Sequence, residues 1–305
     1  MRLRIRMSVA ASIVVAMNLF LAASANADLT TGLALYCDME DTDAINVDKV
    51  LPDVYGAQLV PGTVVGNVTQ AVDAERGNVL SFDTRSSSNY VDFGDNLDPG
   101  TTSYTVAMWM KRDDLTSTEF PAAKGNSSTT AEAWSFGLRA GSHASGPGLS
   151  VRANYDGGSG TTRQNTVTEG LTDAGKVLDG VWYHLAMVIN QETGHFYAYI
   201  NGVGSGEDGD NGLWDSNEAS YSVTFPNNGT ADFNTTLALT LGKVAGTTNT
   251  FKGDIDDFAV WTRALSSDEI VSIYNGAAIV PEPGLLALLS GMVLFGLASR
   301  RGRKL

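Results

Sequence analysis

The chain predicts an all-β protein, a two-sheet antiparallel sandwich closed by one short C-terminal helix. Three observations carry this: many short apolar runs with strand alternation, Gly- and Asn-rich turn signals between them, and a helix-capping pattern after the last run. The stretch GDIDDFAVWTRALSSDEIVSIYNG, residues 253–276, holds both the closing strand and the helix. Ile255, Phe258, Val260 and Trp261 read as a buried strand, while Asp254, Asp256 and Asp257 crowd three carboxylates into four positions. Ser266 with Glu269 three residues on is a capping box, after which Ile270, Ile273 and Tyr274 share one helical face.

The earlier strands read in order as 33–37, 78–83, 90–93, 103–111, 133–139 and 149–154. In 103–111, SYTVAMWMK, both faces are largely apolar, which predicts a central strand. Residues 181–190 and 195–200 form the clearest hairpin, turning through Gln191–Gly194, and Asn201-Gly202 offers the positive φ angles of a further tight turn. Residues 204–232 lose periodicity and read as a surface insertion with one short strand at 221–225. Runs at 236–243 and 251–262 complete the set. No internal repeat appears, so 28–276 reads as one domain.

Both ends read as targeting segments. Residues 1–27 combine a basic start (Arg2, Arg4, Arg6), an apolar run and the small-residue site Ala25-Asn26-Ala27, the pattern of a secretory signal peptide. Residues 277–305 form a short linker, then Pro281-Glu282-Pro283, an apolar stretch from Leu285 to Ala298 and a basic tail with Arg300, Arg301, Arg303 and Lys304. That order resembles the PEP-CTERM sorting signal of Gram-negative bacteria. The resemblance implies export across the inner membrane, transient anchoring by the hydrophobic segment, exosortase cleavage near Pro-Glu-Pro, and release to the cell surface or matrix.

The full chain carries 20 basic and 34 acidic residues, a formal net charge of −14. Three basic residues fall in 1–27, and four basic and one acidic in 277–305, so the body keeps 13 against 33, a net of −20. Such an excess disfavours nucleic acid and anionic membranes as partners of the body. Cys37, the single cysteine, offers no intramolecular disulfide and reads as a buried small hydrophobe. His184 alternates with Trp182 along a strand and is expected as a hydrogen-bonded, semi-buried residue. Trp109, Trp134, Trp182 and Trp261 lie in strand patterns and read as core, whereas Trp214 and Tyr221 lie in the insertion, where an aromatic face can stack on a sugar ring.

Taken in order, LALYCDMED, GNVLSFD, NYVDFG, SYTVAMWMK, VWYHLAMVIN, FYAYINGV, LTLGK and the closing stretch resemble laminin-G-like, or concanavalin-A-like, jelly-roll domains. The resemblance implies a jelly roll that binds glycan or protein, often with a structural calcium between the first strand's acidic end and the last strand's acidic beginning. The matching positions are Asp38 and Glu40 with Asp256 and Asp257, oxygen ligands of the type Ca²⁺ takes. The superfamily also holds laminarinase-like glucanases, and retaining hydrolysis needs two carboxyls about 5 Å apart with distinct roles. Asp254-Ile255-Asp256-Asp257 imitates that motif but lacks both glutamates and lies in the last strand. The sequence therefore favours a non-catalytic protein that binds glycan or extracellular polysaccharide. A structural matrix or envelope protein and a β-glucanase-like hydrolase are the alternatives.

Overall fold

The computed structural model describes residues 28–40, 62–126, 132–143, 146–156, 162–168, 176–204, 223–225 and 231–279. The expected signal peptide, the expected sorting motif and most of the expected insertion lie outside these residues. The strands are β1 Leu33–Cys37, β2 Thr63–Val65, β3 Thr69–Asp73, β4 Gly77–Phe82, β5 Tyr90–Asp92, β6 Tyr104–Arg112, β7 Glu119–Gly125 and β8 Glu132–Leu138. They continue as β9 Leu149–Asp156, β10 Thr162–Thr168, β11 Trp182–Asn190, β12 His195–Ile200, β13 Val203–Gly204, β14 Val223–Thr224, β15 Leu239–Leu241 and β16 Gly253–Trp261, before helix α1 Ser267–Tyr274.

Strand alternation sorts these elements into two antiparallel sheets. One runs β13-β12-β11-β6-β16-β4-β3, with β1 also on β16 and β14 on β12; the other runs β10-β9-β8-β7-β15-β5-β2. β6 lies between β11 and β16, the central place its two apolar faces predict. Its Tyr104, Val106, Met108 and Met110 point into the core, as do Leu185 and Met187 of β11 and Phe258 and Val260 of β16. Across the sandwich they meet Phe93, Trp134, Phe136, Val151 and Leu241 of the second sheet. Burying each aliphatic or Phe side chain contributes about 1.5–3 kcal/mol, so a core of this extent replaces the missing disulfides. Cys37 is buried within it.

Helix α1 starts as its sequence requires. The Ser266 hydroxyl accepts from the Glu269 backbone N–H, and the Glu269 carboxylate accepts from the Ser266 N–H at 2.8 Å. Arg263 donates to both Glu269 oxygens, and Ile270 and Ile273 are buried. The hairpin after β11 closes with Gly194 N–H donating to Asn190 C=O, and Asn201-Gly202 turns with φ of 52° and 80°.

Several strands have no clear sequence signal. β7 (EFPAAKG) carries Pro and Ala where β-branched residues are expected, and β10 (TRQNTVT) is almost wholly polar. The run expected at 236–243 forms a strand only over Leu239–Leu241. His184 also departs from expectation. It is 1% exposed, neither ring nitrogen has a hydrogen-bond partner, and the ring packs between Trp109 and α1's Tyr274 at 5.4 and 6.3 Å. Burial, with Arg76 nearby, pushes its pKa down to about 3, so it is a neutral packing residue.

Candidate functional site

The acidic stretch of β16 sits where the sheet changes partners. Gly253–Ile255 pair with β4, Phe258–Trp261 pair with β1, and against β6 the register shifts between Asp256 and Ala259. Asp257 takes a left-handed φ of 48°, which Asp tolerates, and its N–H donates to the Asp256 carboxylate at 2.9 Å. This break lets two adjacent carboxylates face the same cation. Arg76, from the β3–β4 turn, donates through Nε to Asp256 at 2.7 Å and through a terminal nitrogen to Asp257. Its guanidinium lies 4.3 Å from the Trp109 ring centroid. From β1, the Tyr36 hydroxyl donates to Asp257 at 2.5 Å.

Of the four expected positions, Asp256 and Asp257 of the last strand are thus held by a phenol from the first strand, Tyr36, and by a guanidinium from the β3–β4 turn, Arg76. Asp38 lies near enough to act electrostatically on Asp257, but the Glu40 carboxylate turns away to accept from Asn78 of β4 at 3.2 Å. Among the described residues no group of three or more His, Cys, Asp or Glu side chains is placed to hold a metal ion. The arrangement does not fit the calcium bridge expected here, because Arg76 supplies the counter-charge to both aspartates. Burial and the neighbouring Asp257 push Asp256 up to about 7, and burial raises Asp257 as well. Burial and Asp257 raise the Tyr36 hydroxyl, keeping it a neutral donor. The third carboxylate, Asp254, pairs with Lys111 at 3.0 Å, and Lys111 also meets Asp73 at 2.5 Å. Asp73 further accepts from the Trp182 indole. Against the upward push of burial, these bonds hold Asp73 down to about 2. Every carboxylate in the glucanase-like motif is committed to a cation.

Two buried cations escape a composition-based reading. Arg112 ends the inward row of β6 with no exposed surface, donating to the carbonyls of Asp114, Ser117 and Arg139 and pairing with Glu119. Lys124, also fully buried, meets Asp95 and Asp98 at 3.1 and 3.2 Å and the Leu237 carbonyl at 2.9 Å. Extending the alternation of β6 two residues past Met110 puts Arg112 inside, a signal its charge hides.

A different site lies at the rim of the second sheet. The loop after β15 leaves through Gly242, whose φ of +90° and close approach to the Phe82 ring exclude any side chain. It returns by a bridge between Lys243 and Thr250. With Ser87 from the 84–89 turn, residues 243–249 line a shallow, open hollow of about 590 Å³. Thr247 holds the loop, accepting from Asn249 N–H and donating to Val244 C=O. The Thr248 hydroxyl, the Asn249 side-chain amide and the Ser87 hydroxyl have no hydrogen-bond partner among the described residues. Lys243 lays its ammonium 3.1 Å from the Tyr90 ring centroid. Trp214 and Tyr221, the expected sugar-stacking residues, lie outside the described residues, as do Pro281, Glu282, Pro283, Arg300 and Arg301 of the expected sorting signal. No helix among the described residues is long and apolar enough to cross a membrane.

The sequence profile of the Laminin_G_3 family, described as the concanavalin A-like lectin/glucanases superfamily, matches residues 85–225 and 219–271. No curated protein matches the chain in sequence. Among solved structures, the binding domain of Paraclostridial Mosquitocidal Protein 1 superposes with a TM-score of 0.57 at 14% identity, over 81% of this chain and 52% of that one. This chain therefore spans about half the length of that relative. Domain 4 of AbnA, a GH43 extracellular arabinanase from Geobacillus stearothermophilus solved with arabinotriose, superposes with a TM-score of 0.50 at 19% identity, over 80% of this chain and 99% of that domain.

Proposed function

Because the chain belongs to the concanavalin A-like lectin/glucanases superfamily, we propose that it is an exported, non-catalytic protein that binds glycan or extracellular polysaccharide. The observation that carries this is the rim hollow, whose Thr248, Asn249 and Ser87 side chains are left free to bond sugar hydroxyls. Support also comes from the arabinanase domain of the same fold, whose structure holds arabinotriose. A non-catalytic role accords with Asp254, Asp256 and Asp257 being bonded to Lys111 and Arg76, which leaves neither a free nucleophile nor a free acid in that strand. Export rests on residues 1–27. Delivery to the surface or matrix of a Gram-negative cell rests on the Pro281-Glu282-Pro283 motif, the hydrophobic segment and the basic tail, with exosortase as the processing partner.

A glycan array on the purified full-length protein, with and without calcium, tests the binding. Retention of a polysaccharide class, weakened by Asn249→Ala or Thr248→Ala at unchanged melting temperature, supports it. An array with no retained glycan would leave the protein as a structural component of matrix or envelope. Mass spectrometry of the cell-surface form tests sorting, with no residues expected beyond the Pro-Glu-Pro region.

A further inference from the structure

We infer that the rim hollow selects glycans bearing an anionic group, and that Lys243 recognises that group. The inference rests on the glycan-binding reading and adds a ligand class to it. The eight lining residues, Ser87 and 243–249, include no acidic side chain, although the chain carries 34 acids against 20 bases. Lys243 is their single charged member.

Its pairing differs from that of most described cations. Arg76, Arg85, Lys111, Arg112, Lys124 and Arg263 each form an ion pair with at least one carboxylate. Lys243 forms none, and its ammonium rests on the Tyr90 ring instead. Asp92 is the acid that acts on it, but an Asp92 oxygen already accepts the Gly94 N–H at 2.7 Å. An aromatic face attracts an ammonium and fixes its position without neutralising its charge. Burial lowers the Lys243 pKa, and the attraction of Asp92 offsets this only in part.

A ligand carboxylate or sulfate supplies a counter-ion. The free Thr248, Asn249 and Ser87 groups beside it are neutral and suit sugar hydroxyls, so the lining combines one charge contact with several hydroxyl contacts. A free small anion uses only the first of these, whereas a charged sugar unit uses both. The strongly acidic body repels polyanions at long range, so short acidic oligosaccharides at moderate ionic strength are the appropriate probes.

Isothermal titration of the full-length protein with oligogalacturonate, with its fully methyl-esterified form and with a sulfated galactan oligosaccharide tests the inference. Either anionic probe should bind at least about tenfold more tightly than the ester. Lys243→Gln should remove that preference while leaving the melting temperature unchanged. Lys243→Arg, which keeps the charge, should retain it and covers the case of a Gln variant that fails to fold. Equal binding of acid and ester, or an anionic preference that survives in Lys243→Gln, overturns the inference while leaving glycan binding intact. Binding of neutral glycans alone does the same, and binding of none overturns both readings.

Discussion

The clasp at Asp256–Asp257 and the hollow at 243–249 are two polar constellations of the sandwich that use polarity in opposite ways. In the clasp, two carboxylates, a guanidinium and a phenol meet one another, and the Trp109 face covers the cation. In the hollow, one ammonium and three neutral side chains form no ion pair among the described residues, although Asp92 acts on the ammonium. Polar chemistry satisfied internally ties strands together, whereas polar chemistry left unsatisfied at a concave rim is available to a ligand.

The largest expected effect lies in the clasp. Arg76→Ala leaves two mostly buried carboxylates without their cation and should cost about 3 kcal/mol in denaturant unfolding, with Arg76→Lys falling between because the fork is lost. Tyr36→Phe removes one bond to Asp257 and should cost about 1.5 kcal/mol. Neither change should alter glycan affinity at temperatures where the variant is folded.

Titration follows from the same contrast. Asp256 and Glu119, both pushed up to about 7 chiefly by burial, ionise less readily folded than unfolded. Their contribution is complete below the unfolded value near 4 and is lost as pH rises through about 7. Asp73, held down to about 2, acts oppositely and loses its contribution as pH falls below about 4. Thermal melts should therefore peak near pH 4–5 and decline toward pH 7.5, with a shallower decline in Asp256→Asn.

With Arg76 as counter-ion, EDTA should leave the melting temperature in place. A fall that calcium reverses would put a metal back between the first and last strands. The smallest effect belongs to the hollow, where Lys243→Gln should change stability by less than about 0.5 kcal/mol.

The sandwich, the central β6, the β11–β12 hairpin and the capped helix were legible because alternation and capping are local patterns. β7 and β10 were not, since Pro121, Ala122 and Ala123 or a polar run become strands only through their neighbours. Asp256 and Asp257 of β16 were legible as polar anchors, but their partners, Tyr36 of β1 and Arg76, were not. Arg76 is far from both in sequence and reaches them through the β3–β4 turn, a strand pair only half visible beforehand. The hollow was missed because Lys243 and Thr247–Asn249 are ordinary loop residues. Only the empty surroundings of their side chains distinguish them, and a linear reading does not contain that information.

The division of labour between clasp and hollow is tested most directly by backbone amide shifts of the labelled full-length protein titrated with the tightest-binding oligosaccharide. Saturable shifts are expected at Ser87 and across 243–249, with Tyr36, Arg76, Asp256 and Asp257 unmoved. Shifts centred on the clasp, with the 243–249 loop silent, would contradict that division.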